Sequence, residues 1–239
     1  MRFSSRSALL AAFALLLFAL PARAQIGSGT VNAVLAVPQG EFADRLDGVG
    51  FGLSGTFVAH IPNTPIGFGI EGTFLTYGHE RIRERFGSGA LSRVEVDVVT
   101  SNNIALGHLL LRLQPPQGAF RPYADALVGV GYLFTESRIE DVDFDDDRDI
   151  ASSTNFDDVT FSYGLGGGVM AQVYRGHSED SGRPYAIFVD ARLRYLFGGE
   201  AEYLREGGLR TDANDNLVFD VERSRTNLLL PQIGVTFRF

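Results

Sequence analysis

Four histidines, one acidic run and one glycine run are the parts of this 239-residue chain that could carry chemistry by type and spacing. His60 and His108 stand near the ends of alternating segments, where a single interior polar partner accounts for a histidine. His79 stands at the base of a charged stretch, and His177 in a short turn. A serine hydrolase needs His, Ser and an acid within reach of one another, as side chains on one face of a strand can be. No closely spaced His-x-Ser occurs on such a strand, and "GHSED" at 176–180 belongs to a turn. The run "EDVDFDDDRD" at 140–149 alternates Asp143, Asp145, Asp147 and Asp149 as hard oxygen ligands for calcium could. Counted from Asp143, however, the EF-hand positions for Gly and Glu hold Arg148 and Thr154, so a solvated loop is the expectation. "GLGGGVM" at 164–170 lacks the Lys-Ser/Thr ending of a phosphate loop and reads as close strand packing. With no cysteine, thiolate catalysis, disulfides and cysteine-ligated metals are excluded. No catalytic residue, cofactor or bound metal is expected.

The elements that must position whatever remains are strands. Period-two alternation predicts eight of them, near 29–38, 49–60, 65–77, 94–113, 120–135, 158–174, 184–197 and 226–239. The second sets Phe51, Leu53, Gly55, Phe57 and Ala59 against Gly50, Gly52, Ser54, Thr56 and His60. The fifth sets Ala124, Ala126, Val128, Val130, Tyr132 and Phe134 against Tyr123, Asp125, Leu127, Gly129 and Gly131. The seventh sets Ile187, Val189, Ala191, Leu193, Tyr195 and Phe197 against Asp190, Arg192 and Arg194. Strand four is the ambiguous one, since both of its faces are apolar. Short connections rich in Pro, Gly and Asn ("IPNTP", "QPPQG", "RGHSEDSGRP") alternate with longer charged ones at 78–93, 136–157 and 198–225.

The N-terminus sets the compartment. Arg2 and Arg6, an apolar run from Ala8 to Leu20 and the Ala22-Arg23-Ala24 pattern predict a cleaved signal peptide over 1–24. One domain is then expected over 25–239. Loss of Arg2, Arg6 and Arg23 moves the formal net charge from −8 to about −11. An acidic chain argues against nucleic acid, whose phosphates need a basic surface. No later apolar run is long enough for a membrane helix.

Glycines and charges share the polar face, with Glu71, Arg112, Asp125, Asp190, Arg192, Arg194 and Arg238 among them. A soluble barrel would present that face to water. Glycine beside charge suits a crowded barrel interior better, and the broad apolar face with terminal aromatics suits lipid. The expected fold is all-β, an eight-stranded antiparallel up-and-down transmembrane barrel with a plugged polar lumen, because eight strands close without an edge around a space that side chains fill. Within that lumen Glu71 and Asp125 are expected to flank Arg112, and Asp190 to lie beside Arg238 and reach Arg192 or Arg194. An even strand number places both termini on the periplasmic side.

The last five residues, "VTFRF", resemble the C-terminal signature of bacterial outer-membrane barrels, in which a terminal Phe and alternating hydrophobics are read by the assembly machinery. Val235, Phe237 and Phe239 carry that resemblance. "RPYADALVGVGY" at 121–132 and "FVDARLRYLFGG" at 188–199 look like the fifth and seventh strands of the OmpA/OmpX-like eight-stranded barrel family. The resemblance implies location in the cell outer membrane of a Gram-negative-type envelope. It also implies contact with outer-membrane lipid, lipopolysaccharide and the barrel assembly machinery, and a monomer. Divalent cations bridging the acidic loop to lipopolysaccharide phosphates, or Arg81, Arg83 and Arg85 pairing with them directly, fit the same setting. The expected role is non-enzymatic, in envelope structure or surface interaction through the loops. OmpW-like passage of small or hydrophobic solutes is the alternative, and lipid A modification stands behind both.

Overall fold

The computed structural model describes residues 26–46, 48–86, 94–141, 149–177, 184–211 and 217–239; for 26, 79–86, 94–100, 136–141, 149–156, 184, 204–211 and 217–221 the description is of backbone alone. The expected signal peptide and most of the acidic run at 140–149 fall outside the described residues. Eight strands close into an antiparallel barrel. They are β1 (Ile26–Gln39), β2 (Gly50–His60), β3 (Ile66–Phe86), β4 (Val94–Leu113), β5 (Phe120–Asp141), β6 (Asp149–His177), β7 (Pro184–Gly198) and β10 (Asn227–Arg238). Each pairs with its neighbour in sequence, and β1 pairs with β10 to complete the ring, as in Val31↔Val235. The remaining strands, β8 (Glu200–Thr211) and β9 (Leu217–Arg225), form a separate hairpin between β7 and β10.

Two rims result. One carries both strand termini and the tight turns at 61–65 and 114–119, where Asn63 (φ 59) and Gly118 (φ 119) take left-handed backbone that suits Asn and Gly. The other carries the β8–β9 hairpin and the 3₁₀ turn Gly40–Phe42. On the turn rim the N–H and C=O of Gly27 and Phe239 bond each other, both at 3.0 Å, so the C-terminal residue seals the ring.

The sequence expectation for the long connections needs correcting. Residues 78–86 pair with 94–102, and 135–140 pair with 149–156, so most of the expected loops 78–93 and 136–157 are ladder. His79 is likewise in β3, not at a loop base. The expected loop 198–225 is largely the β8–β9 hairpin. Alternation of charge with Ile82, Val94, Val96 and Val98 supports a strand as well as alternation of polar with apolar does, because β-branched residues favour extended backbone. Two bulges, at Thr76/Gly78 and Thr135/Glu136, mark where the ladder passes from the barrel into this extension.

The faces follow the alternation. On β2, Phe51, Leu53 and Phe57 are exposed while Ser54, Thr56 and His60 are buried. On β10, Ile233, Val235, Phe237 and Phe239 are exposed while Gln232 and Thr236 are buried. Strand four resolves with Asn102, Ile104, Leu106, His108, Leu110 and Arg112 inward. Large apolar side chains point outward on all eight barrel strands. Aromatic pairs stand on that surface, with Tyr132 and Phe134 stacked at 5.1 Å and Tyr163 and Phe197 at 5.2 Å. An apolar exterior around a charged interior is the reverse of a water-soluble barrel and matches a wall immersed in lipid.

Candidate functional site

The charged residues of the polar face converge inside the barrel. Asp125 on β5 and Arg112 on β4 are direct cross-strand partners and form a two-pronged pair, with Arg112 Nε donating to Asp125 Oδ1 at 2.7 Å and Nη2 to Oδ2 at 2.8 Å. The Arg112 guanidinium also lies 3.8 Å from the centre of the Tyr123 ring. Asp125 Oδ2 takes a further bond at 3.0 Å from Nη2 of Arg194 on β7. Arg194 reaches on to Glu71 on β3, and Arg192 Nη1 approaches the same carboxylate at 3.4 Å. Glu71 also accepts from Thr56 Oγ1 at 2.6 Å. Asp190 closes the chain of contacts, accepting from Tyr123 OH at 2.7 Å and standing 4.0 Å from Arg192 Nη2. Three buried guanidinium groups thus meet three buried carboxylates, which keeps the cluster neutral.

Two expected pairings are not formed. Glu71 does not flank Arg112; it crosses the lumen to Arg192 and Arg194, because a closed barrel brings β3 and β7 face to face although they share no ladder. Arg238 is only half buried and makes no ion pair among the described residues. Its ladder partner on β7 is Ala186, while Asp190 sits opposite Gly234.

Glycine makes room for these side chains. Gly166 lies opposite Arg194 and Gly168 opposite Arg192 across β6–β7. A Cβ at Gly168 would stand 2.6 Å from Tyr123 OH and 2.7 Å from Arg192 Cβ. The glycine run that resembles a phosphate loop in composition is therefore a bed for arginine stems.

Toward the loop rim the lumen changes character. Val34, Leu75, Ile104, Leu133, Leu196, Leu228 and Leu230 fill it with aliphatic side chains. Phe42 from the 3₁₀ turn and Tyr203 from β8 cap them, both buried, with ring centres 5.2 Å apart and nearly perpendicular. Tyr203 OH bonds Ser224 Oγ at 2.8 Å, and burial pushes its pKa up. Arg45 pairs with Glu222, tying the 3₁₀ segment to β9. The expected polar core is thus half apolar. Neither cap residue was legible as such, because both reach the lumen from connecting segments that the alternation does not describe. Beside the aliphatic layer, a void of about 10 Å³ lined partly by Thr160, Ser162 and Thr226 is the size of one water.

Two of the histidines are explained within this interior, while His177, expected in a turn, is exposed at the end of β6. His108 Nε2 lies 3.0 Å from Ser162 Oγ, and His60 Nε2 lies 3.3 Å from Ser28 Oγ. A Ser–His contact resembles half of a nucleophile–base pair, but Ser162 and His108 are both sealed in the wall-to-wall packing of the lumen, where no substrate could reach them. Among the described residues no group of three or more His, Asp or Glu is placed to hold a metal ion. The assembly-signal residues Val235, Phe237 and Phe239 are all outward, and the Phe239 ring stands 6.5 Å from Phe57.

No protein-family model matches the chain, and no curated protein matches it. Solved structures with some likeness include Ail, the attachment invasion locus protein of Yersinia pestis, at 13% identity and TM-score 0.38, covering 90% of this chain and 99% of that one. Neisserial surface protein A is similar at 12% identity and TM-score 0.39, covering 89% and 95%. A major outer membrane protein from Thermus thermophilus is similar at 14% identity and TM-score 0.38, covering 89% and 99%. Such distant likeness assigns neither family nor function, and the barrel rests on the chain's own ladder.

Proposed function

We propose that the chain is a non-enzymatic integral barrel of the outer membrane, with both termini periplasmic, and that it acts at the cell surface in envelope structure or surface interaction. One observation carries this reading: strands β3 to β6 continue well past the apolar belt on the loop rim. The last rung from β2 to β3 is Phe51↔Thr76, whereas β3 continues to Phe86. Likewise the last rung from β7 to β6 is Ser162↔Gly198, whereas β6 begins at Asp149. Four strands therefore rise above the wall as a sheet. At ~3.3 Å per residue, the stretch from Gly78 to Phe86 extends roughly 25–30 Å along the strand. Beyond Thr76, β3 pairs on the β4 side alone among the described residues.

Passage of solutes through the lumen has little support, since charge pairs fill its middle and the capped aliphatic layer closes its loop-rim end. In this setting lipid and lipopolysaccharide surround the belt, and the assembly machinery reads Val235, Phe237 and Phe239. The chain has no cysteine, which makes the topology directly testable. Ser88→Cys, in the connection between β3 and β4, should react with a membrane-impermeant maleimide on intact cells. Asn63→Cys, in the β2–β3 turn, should react only after the outer membrane is opened. The reverse pattern would overturn the orientation and the surface role together.

A further inference from the structure

The mouth of the lumen at the turn rim holds cations that the inner cluster does not use. Ala186 on β7 packs inward against Tyr123, Met170 and Phe188. Its ladder partners are Arg175 on β6 and Arg238 on β10, so two arginines flank one small side chain on the lumen face. With neighbouring strands ~4.8 Å apart, their backbones stand roughly 10 Å from each other. A third arginine comes from β5. The Arg121 guanidinium lies 5.0 Å from the centre of the Phe188 ring, two residues along the same face of β7.

None of the three is neutralised among the described residues. Arg175 is exposed and reaches only Gln172 Oε1, at 3.4 Å, and Arg238 makes no ion pair. Arg121 is more than nine-tenths buried, donates Nε to the Gly118 carbonyl at 2.7 Å and leaves Nη1 without a partner. Arg121 and Arg175 are close enough for their like charges to oppose each other. The nearest carboxylate further in, Asp190, is already held by Tyr123 OH at 2.7 Å and Thr236 Oγ1 at 3.3 Å. Arginine cannot escape such a setting by losing its proton, so the counter-charge must come from outside the cluster. A monocarboxylate brings one charge and two oxygens, which a single guanidinium satisfies through its fork. Three separate guanidinium groups call for a second charge and a third acceptor oxygen, and a phosphate monoester supplies both.

We propose that the turn-rim mouth of the lumen is a binding site for a phosphate monoester, held by Arg121, Arg175 and Arg238. Arg175 and Arg238 take it from the two strands beside β7, and Arg121 meets it from the inner side over Phe188. The site does not depend on which rim faces the periplasm. In sequence the connection 178–183, outside the described residues, carries Glu179 and Asp180. Capture of the arginines by these carboxylates is the outcome that would leave no site.

The probe is inorganic phosphate at mildly alkaline pH, where it is a dianion. It is titrated calorimetrically, at constant ionic strength, into the whole mature protein folded in an uncharged detergent. Phosphate should bind saturably at one site per barrel, and acetate about tenfold or more weakly, as loss of charge-assisted bonds implies. Arg175→Gln and Arg238→Gln should each weaken phosphate about fivefold or more. Arg223→Gln, on the hairpin of the opposite rim, should leave it unchanged. A second arm uses phosphatidylcholine nanodiscs with or without phosphatidic acid, whose headgroup is a phosphate monoester. Lost capacity for free phosphate in the doped discs assigns the site to a lipid headgroup, and unchanged capacity assigns it to a soluble ester. Absence of saturable binding would overturn the proposal, as would acetate binding as tightly as phosphate. So would undiminished binding in a folded variant carrying both Arg175→Gln and Arg238→Gln. The comparison with acetate needs no variant, so it decides even where a substitution prevents folding.

Discussion

Replacing Arg112 with Leu tests whether the lumen is a paired and dry ionic cluster. Arg112 is fully buried, holds Asp125 through two bonds at 2.7 and 2.8 Å, and stacks on Tyr123. Without it Asp125 keeps only the 3.0 Å bond from Arg194, and two guanidinium groups face three carboxylates. Breaking one side of a buried pair costs about 3–5 kcal/mol, and the lost cation–π contact places this case toward the upper end. The control is Arg223→Leu, whose pair with Glu200 at 3.1 Å is 65% and 55% exposed and is worth about 0–1 kcal/mol. Arg112→Leu combined with Asp125→Asn restores the charge balance and should be less destabilising than Arg112→Leu alone, a coupling that a double-mutant cycle isolates. The assay is equilibrium unfolding by urea in lipid vesicles, followed by the heat-modifiable shift of the folded barrel on gels. A cost for Arg112→Leu within about 1 kcal/mol of the Arg223→Leu control would refute the dry-cluster argument. A double variant as unstable as the single one would locate the loss in packing rather than charge.

Further expectations concern packing, closure and the plug. Gly168→Ala should destabilise by about 1–3 kcal/mol although it adds one methyl group, because that methyl meets Tyr123 OH and Arg192 Cβ; the same urea titration reads it. Gly234→Val should impair barrel closure, since a Cβ there would collide with the backbone carbonyl oxygen of Val31 across the β1–β10 seam; less heat-modifiable protein in the outer membrane is the readout, and wild-type recovery would contradict it. Deleting Phe239, or placing Asp at 237 and 239, should lower the same recovery more than it lowers the stability of refolded protein. Phe42→Ala should cost about 3–5 kcal/mol as a cavity in the capping layer, yet planar-bilayer conductance should stay far below porin scale because the ionic cluster still fills the lumen. Steady porin-scale conductance from monomers would refute the plugged lumen.

Alternation made the wall legible, since period two fixes which side chains share a face. Asp125, Asp190, Arg192 and Arg194 come out inward for that reason alone, and Phe237 and Phe239 outward. Partner choice was less accessible. Reasoning from neighbouring strands finds Arg112 with Asp125, which are adjacent across a ladder, but cannot find Glu71 with Arg194, which meet along a chord of the closed ring. The cap was harder still. Phe42 and Tyr203 sit in segments of no steady period, and only the folded hairpin and 3₁₀ turn bring them over the lumen. The extension of β3 was missed for a different reason. In "HERIRERF" charge stands where polar residues usually mark a loop, while the valines of its partner "VEVDVV" already signalled a strand.

These features together move the available chemistry to the outside of the molecule. Inside, the carboxylates and guanidinium groups of the cluster pair with one another, aliphatic side chains fill the layer toward the loop rim, buried hydroxyl, amide and imidazole groups stand around both, and the one small void described holds a single water at most. A barrel filled in this way needs glycine opposite its arginines and tolerates few changes there, so its interior is a structural core rather than a working site. An open backbone edge lies elsewhere. It is the β3 backbone beyond Thr76, which among the described residues pairs on a single side. An extended backbone edge in water is satisfied by another extended chain.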